Sequence, residues 1–176
     1  MNRFKLKAAG CVFALAAVAA PSAQAGECQK VSGVFREFVV SPFLSQFDPF
    51  GRVANFANGT INSVGTAVLT SVQPGPGGPP NWTATTRHVF VVSERDQLVA
   101  TGVAEISPVL GSQTDVNDTL TLTVNGTESL GKYAGATGTI VMRGIGKNFY
   151  GPFPFPGPAA GSANFEFHYK GEVCFP

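Results

Sequence analysis

Few residues of this chain have types and spacing that could do chemistry. There are two histidines, His88 and His168, and three cysteines, Cys11, Cys28 and Cys174. They form no CxxC pair and no histidine cluster, which argues against a classical zinc site, and no metal or other cofactor is expected. Both histidines fall in strand-like runs. No G-x-S-x-G precedes a helix, and no Ser-His-Asp set can be assembled, which argues against hydrolysis. Gly131, Gly135 and Gly138 are spaced like a tight corner that needs positive φ or close backbone approach. A phosphate-cradling loop would need a helix after them, and Thr139–Arg143 reads as a strand. The acids Glu37 and Glu105 remain, with Arg143. A charge inside a fold is costly unless paired, so an inward Glu37 or Glu105 meeting an inward Arg143 would mark a site. The alternative for each is ordinary surface charge.

The elements that must position these residues are strands. Runs rich in Thr, Val and Phe cover Val31–Val40, Gly65–Val72, Trp82–Val92, Leu98–Ser107, Thr119–Val124, Gly138–Arg143 and Asn164–Phe175, with a weaker run at Asn55–Ser63. Turn signals separate them at Ser41-Pro42, Asp48-Pro49-Phe50-Gly51, the Pro/Gly run Gln73–Asn81, Glu94-Arg95-Asp96, Pro108, Asn125-Gly126 and Gly151–Gly161. No window after the first 25 residues sustains a helical apolar period. The spacing predicts an all-β, antiparallel meander with enough strands to close a barrel.

Alternation assigns faces. On the fourth run Ala84, Thr86, His88, Phe90 and Val92 form the more apolar side, so His88 should border the interior. On the last run Phe165, Phe167, Tyr169 and Gly171 share the inner side, and Glu166, His168, Lys170 and Glu172 the outer. On Leu98–Ile106 both sides are apolar and parity stays open. The Gly151–Gly161 loop is either a plain long hairpin or, with Phe149, Tyr150, Phe153 and Phe155, an aromatic lip over a barrel mouth.

Composition bounds the rest. The chain has 176 residues, 44% of them hydrophobic and 13% charged, which is not a disordered composition. Its 21 Gly and 13 Pro have no collagen period. A net charge of +1 gives no footprint for nucleic acid. Arg3, Lys5 and Lys7 precede the apolar run Ala8–Ala20, and Ala23-Gln24-Ala25 supplies an A-x-A cleavage site. Residues 1–25 therefore read as a signal peptide. The apolar run is short of the roughly 20 residues that span a bilayer. Residues 26–176 are then a single secreted or periplasmic domain with no membrane partner. Asn58, Asn81, Asn117 and Asn125 each begin an Asn-x-Thr sequon, which would matter only in a eukaryotic secretory route.

Cys28 and Cys174 sit at opposite ends of this domain. In an oxidising compartment they read as one disulfide, the alternative being two buried thiols. A bridge closing so long a loop is worth about 4–5 kcal/mol in the loop-entropy model. It requires the first and last segments to be neighbours, the condition for closing a barrel.

The segment Gly131-Lys132-Tyr133-Ala134-Gly135-Ala136-Thr137-Gly138, leading into Thr139–Met142, resembles the G-x-[FY]-x-G-A-x-G motif of the allene oxide cyclase family. Phe165-Glu166-Phe167-His168-Tyr169-Lys170-Gly171 is similar to that family's last strand, and Asn117–Val124 to the strand before the motif. The likeness spans roughly residues 82–172. It implies an eight-stranded antiparallel barrel of the allene oxide cyclase/dirigent type, holding a small apolar substrate and isomerising or cyclising it without cofactor. It further implies Glu37 on the first strand as the catalytic carboxyl, with Phe35, Phe90, Tyr133, Phe165, Phe167 and Tyr169 as substrate-binding walls, and homo-oligomers are common in such families. The family's cavity cysteine has no counterpart here. A lipocalin-like binder of apolar molecules, or an extracellular structural domain with a filled interior, are the competing expectations.

Overall fold

A computed structural model describes residues 26–43, 50–149 and 163–176. Eight strands run in chain order: β1 Cys28–Phe43, β2 Phe50–Gly59, β3 Ser63–Pro74, β4 Trp82–Val91, β5 Gln97–Pro108, β6 Val116–Val124, β7 Thr137–Lys147 and β8 Asn164–Cys174. Each pairs antiparallel with its neighbours, and β8 returns to β1, so the sheet closes into a barrel. The closing ladder runs from Cys28↔Cys174 to Phe38↔Asn164, and the two cysteines that begin it are joined as a disulfide 146 residues apart in sequence. The expected leader, residues 1–25, lies outside the described residues.

The strand reading holds with altered ends. Ser41-Pro42 does not turn the chain: β1 continues to Phe43, and its register against β2 shifts between Val39 and Ser41. A proline has no N–H to give a ladder, and a register shift is where one is tolerated. Phe50 and Gly51 belong to β2, and the weak run expected at Asn55–Ser63 is split between β2 and β3. Gly131, Gly135 and Gly138 all take positive φ, as their spacing required.

Alternation sorts the core. β4 turns Ala84, Thr86, His88 and Phe90 inward, β6 turns Val116, Asp118, Leu120, Leu122 and Val124, and β8 turns Phe165, Phe167 and Tyr169. On β5 the inner face is Leu98, Ala100, Gly102, Ala104 and Ile106. Val99 on the opposite face is also buried. The segment after β6 covers it: Val99 N–H donates to Ser129 Oγ at 2.9 Å, and Asn125 N–H to Val99 O at 2.8 Å. This cover is why β5 had two apolar faces.

Phe35 sits at the centre, its ring 5.7 Å from Phe90, 5.9 Å from Phe167 and 6.1 Å from His88. Gly102 faces it from β5 by necessity, because a Cβ there would run into Thr86 Oγ1 and Leu122. Aromatic rings thus fill the middle of the barrel.

Candidate functional site

The register places the β1, β3, β5 and β7 C-termini at the pole opposite the disulfide. Near that pole is a cavity of about 50 Å³. Glu37 and Val39 of β1, Val53 of β2, Leu69 of β3, Ala84 and Thr86 of β4, Ala104 and Ile106 of β5, Asp118 and Leu120 of β6, and Phe149 and Phe165 border it. Small residues on β4 and β5 leave this space; the ring of Phe149, edge-on to Phe165 at 5.9 Å, closes one side. Phe149 is the one member of the expected aromatic lip that can be located, since Tyr150, Phe153 and Phe155 lie outside the described residues.

Glu37 faces inward at 7% exposure, as the resemblance implied. The cation that would have marked a site with it does not. Arg143 and Glu105 both point to solvent. Outside the barrel Arg36, the neighbour of Glu37, pairs instead with Glu166 at 3.0 Å. The second charged-type group inside is Asp118, at 6% exposure. Burial, and then the charge of Asp118, push the Glu37 carboxyl up to about 8. Burial alone raises Asp118 to about 7. His88, 1% exposed, is driven down to about 3 by burial.

These directions bear on the Glu37–His88 contact. His88 Nδ1 lies 3.4 Å from Glu37 Oε1, within ion-pair range. With a raised carboxyl and a lowered imidazole, both partners are neutral near pH 7, so the contact is dipolar, not ionic. The other ring nitrogen, Nε2, is 2.9 Å from Thr86 Oγ1. If Nε2 carries the proton and donates to Thr86, Nδ1 is an acceptor facing Glu37. Among the described residues, neither Glu37 Oε1, His88 Nδ1 nor Asp118 Oδ1 has a hydrogen-bond partner. Asn55, opposite Glu37 in the β1–β2 register, is fully buried with both amide atoms equally unpartnered.

Of the other residues expected at the site, only Phe165 borders this cavity. Phe90 and Tyr169 line a gap of about 10 Å³ nearer the disulfide. The Tyr169 hydroxyl there donates to Ile61 O and accepts from Ile61 N–H, each at 3.1 Å. Phe35 and Phe167 are packed core. Tyr133 is displaced furthest: it lies in a 3₁₀ turn, Gly131–Tyr133, and packs on Phe175 at the disulfide pole, with Lys132 Nζ 5.0 Å above its ring. It seals the base and borders neither space. The residues that sequence reasoning missed are Asp118, Thr86 and Asn55.

Among the described residues, only Cys28, Glu172 and Cys174 bring three metal-type ligand atoms within 4.8 Å, and there both sulfurs are already bonded to each other. No protein-family model, curated protein or solved structure matches the chain.

Proposed function

We propose that this is a secreted, cofactor-free isomerase or cyclase of the allene oxide cyclase/dirigent kind. It would move a proton on a small, unsaturated and largely apolar substrate. The observation that carries this reading is the pair of buried carboxyls, Glu37 and Asp118, bordering one cavity with proton affinities close to neutrality. At pH 7 Glu37 is mostly the acid and Asp118 is divided between acid and base. Asp118 in its ionised form takes a proton from an activated carbon. The electron pair shifts along the unsaturated system, and Glu37 delivers its own proton at the far end. Substrate and product have the same atoms. Asp118 then returns its proton to Glu37. His88, neutral and 3.4 Å away, steadies Glu37, and apolar walls keep competing water out.

The size of the cavity bounds the substrate. About 50 Å³ takes only a reacting group of a few atoms, far below the roughly 300–1,000 Å³ of a usual ligand pocket. The tightness of the aromatic interior favours a second reading, an extracellular structural domain with a filled interior.

The test uses small β,γ-unsaturated ketones and epoxides in D₂O, followed by NMR. Isomerisation with deuterium at the shifted carbon is expected, and both Glu37→Gln and Asp118→Asn should lower it about 100-fold. Turnover equal in wild type and variants, or none with any compound, would overturn the enzyme. Native mass spectrometry of a co-purified apolar molecule without turnover would support the lipocalin-like binder.

A further inference from the structure

We propose that the cavity opposite the disulfide is a binding site for a small organic ammonium, its nitrogen seated between Glu37 and Asp118 and its apolar body against Phe149 and Phe165. This rests on the reading above that the cavity takes a small molecule; the ammonium would occupy it in place of the unsaturated substrate and hold both carboxyls ionised.

The two acids come from β1 and β6, and each keeps one oxygen, Glu37 Oε1 and Asp118 Oδ1, without a partner among the described residues. The buried imidazole of His88 turns a further unpartnered atom, Nδ1, toward Glu37 at 3.4 Å. All are acceptors once the carboxyls ionise, and an ammonium is a donor at every N–H. Among the described residues no lysine or arginine is buried. The titratable groups facing the interior are Glu37 on β1, His88 on β4, Asp118 on β6 and Tyr169 on β8, and none of them supplies a positive charge at neutral pH. Arg52 of β2 reaches the cavity rim, where it is exposed. Burial raises both carboxyls, with the charge of Asp118 adding to Glu37. Two acids sharing an apolar space without a buried cation favour a ligand that brings one.

The kind of cation follows from spacing. Glu37, Asp118 and His88 do not bring their ligand atoms within 4.8 Å of one another, wider than a bare metal ion spans. An ammonium at the end of a carbon chain suits wider acceptors, and its charge gains from aromatic faces. About 50 Å³ matches the head and first carbons, not a bulky amine.

Binding should drive protons off the carboxyls, because a cation between them favours their charged forms. The experiment is calorimetric titration of the oxidised protein with n-butylammonium chloride at pH 6.5, in two buffers of different ionisation heat. The expected result is binding with net proton release. Affinity should exceed that for 1-butanol and for butyrate by at least about tenfold, and should fall about tenfold in Glu37→Gln and in Asp118→Asn. Equal binding of 1-butanol, no proton release, or unchanged affinity in both variants overturns the proposal. If a variant fails to fold, the wild-type comparison of ammonium, alcohol and carboxylate decides alone. Turnover of the unsaturated probes by a protein indifferent to butylammonium sinks this inference and leaves the isomerase standing. Ammonium binding without turnover does the reverse.

Discussion

Glu37 and Asp118 stand on β1 and β6, yet their carboxyls border the same small cavity, and among the described residues no lysine or arginine is buried with them. The pair makes stability depend on pH in a defined sense. Both carboxyls hold protons more tightly folded than unfolded, Glu37 up to about 8 from 4.5 and Asp118 up to about 7 from 3.8. Their contribution is complete in acid and is lost as pH rises, Asp118 first and Glu37 by about pH 8. His88 works oppositely. Its folded value is lowered to about 3 from 6.5, so its contribution is complete above 6.5 and is lost as pH falls. Urea midpoints measured from pH 4 to 8.5 should fall with rising pH, most steeply just above 6.5, where His88 no longer offsets the acids. Each unmatched proton is worth about 1.4 kcal/mol per pH unit. In Glu37→Gln the decline above pH 7 should largely vanish; an unchanged profile would refute the assigned burial.

Phe35 contacts three rings at the middle of the barrel and is fully buried. Phe35→Ala should cost about 3–5 kcal/mol by denaturant titration. A loss under 1 kcal/mol would mean that the interior repacks freely.

Gly102 is the inner-face gap that admits Thr86. Gly102→Ala places a methyl against Thr86 Oγ1 and Leu122. A destabilisation of about 1–3 kcal/mol is expected. The ¹⁵N shift of His88 Nε2 should move as its 2.9 Å hydrogen bond to Thr86 is disturbed. Constancy of that shift would show that Thr86 does not hold the ring.

Reduction of Cys28–Cys174 removes a tie across a loop of 146 residues. The oxidised protein should be more stable than the Cys28→Ser/Cys174→Ser variant by up to about 4–5 kcal/mol. Equal unfolding midpoints would assign the closure to the β1–β8 ladder alone.

Much of the barrel was legible because its strands alternate. Phe165, Phe167 and Tyr169 could be turned inward from sequence since Glu166, His168 and Lys170 interrupt them. His88 was placed by the same rule. β5 resisted it because a loop buries Val99 on the outside, and no local pattern announces a loop that folds back. Pro42 misled because a proline signals a turn, yet β1 runs on past it to Phe43, beyond the register shift between Val39 and Ser41. The site was half legible. Glu37 was found through a family likeness. Asp118 carried its own signal: it occupies the inner parity of Val116, Leu120, Leu122 and Val124, an acid in an otherwise apolar row. Asn55, between Val53 and Ala57, carried the same one. Tyr133 could not be placed from sequence because a residue in a motif rich in glycine has no strand parity, and its turn carries it to the base.

The β1–β8 seam has one more consequence. Gly26 lies against Phe175, so both ends of the barrel leave together, at the pole away from the acids. A tag, tether or fused neighbour attached at either end would hang beneath the cylinder like a stem. Immobilising the molecule by its tail would leave the pole nearer the acids facing away from the support, and the two ends could be spliced through a short linker with new ones cut elsewhere in the hoop.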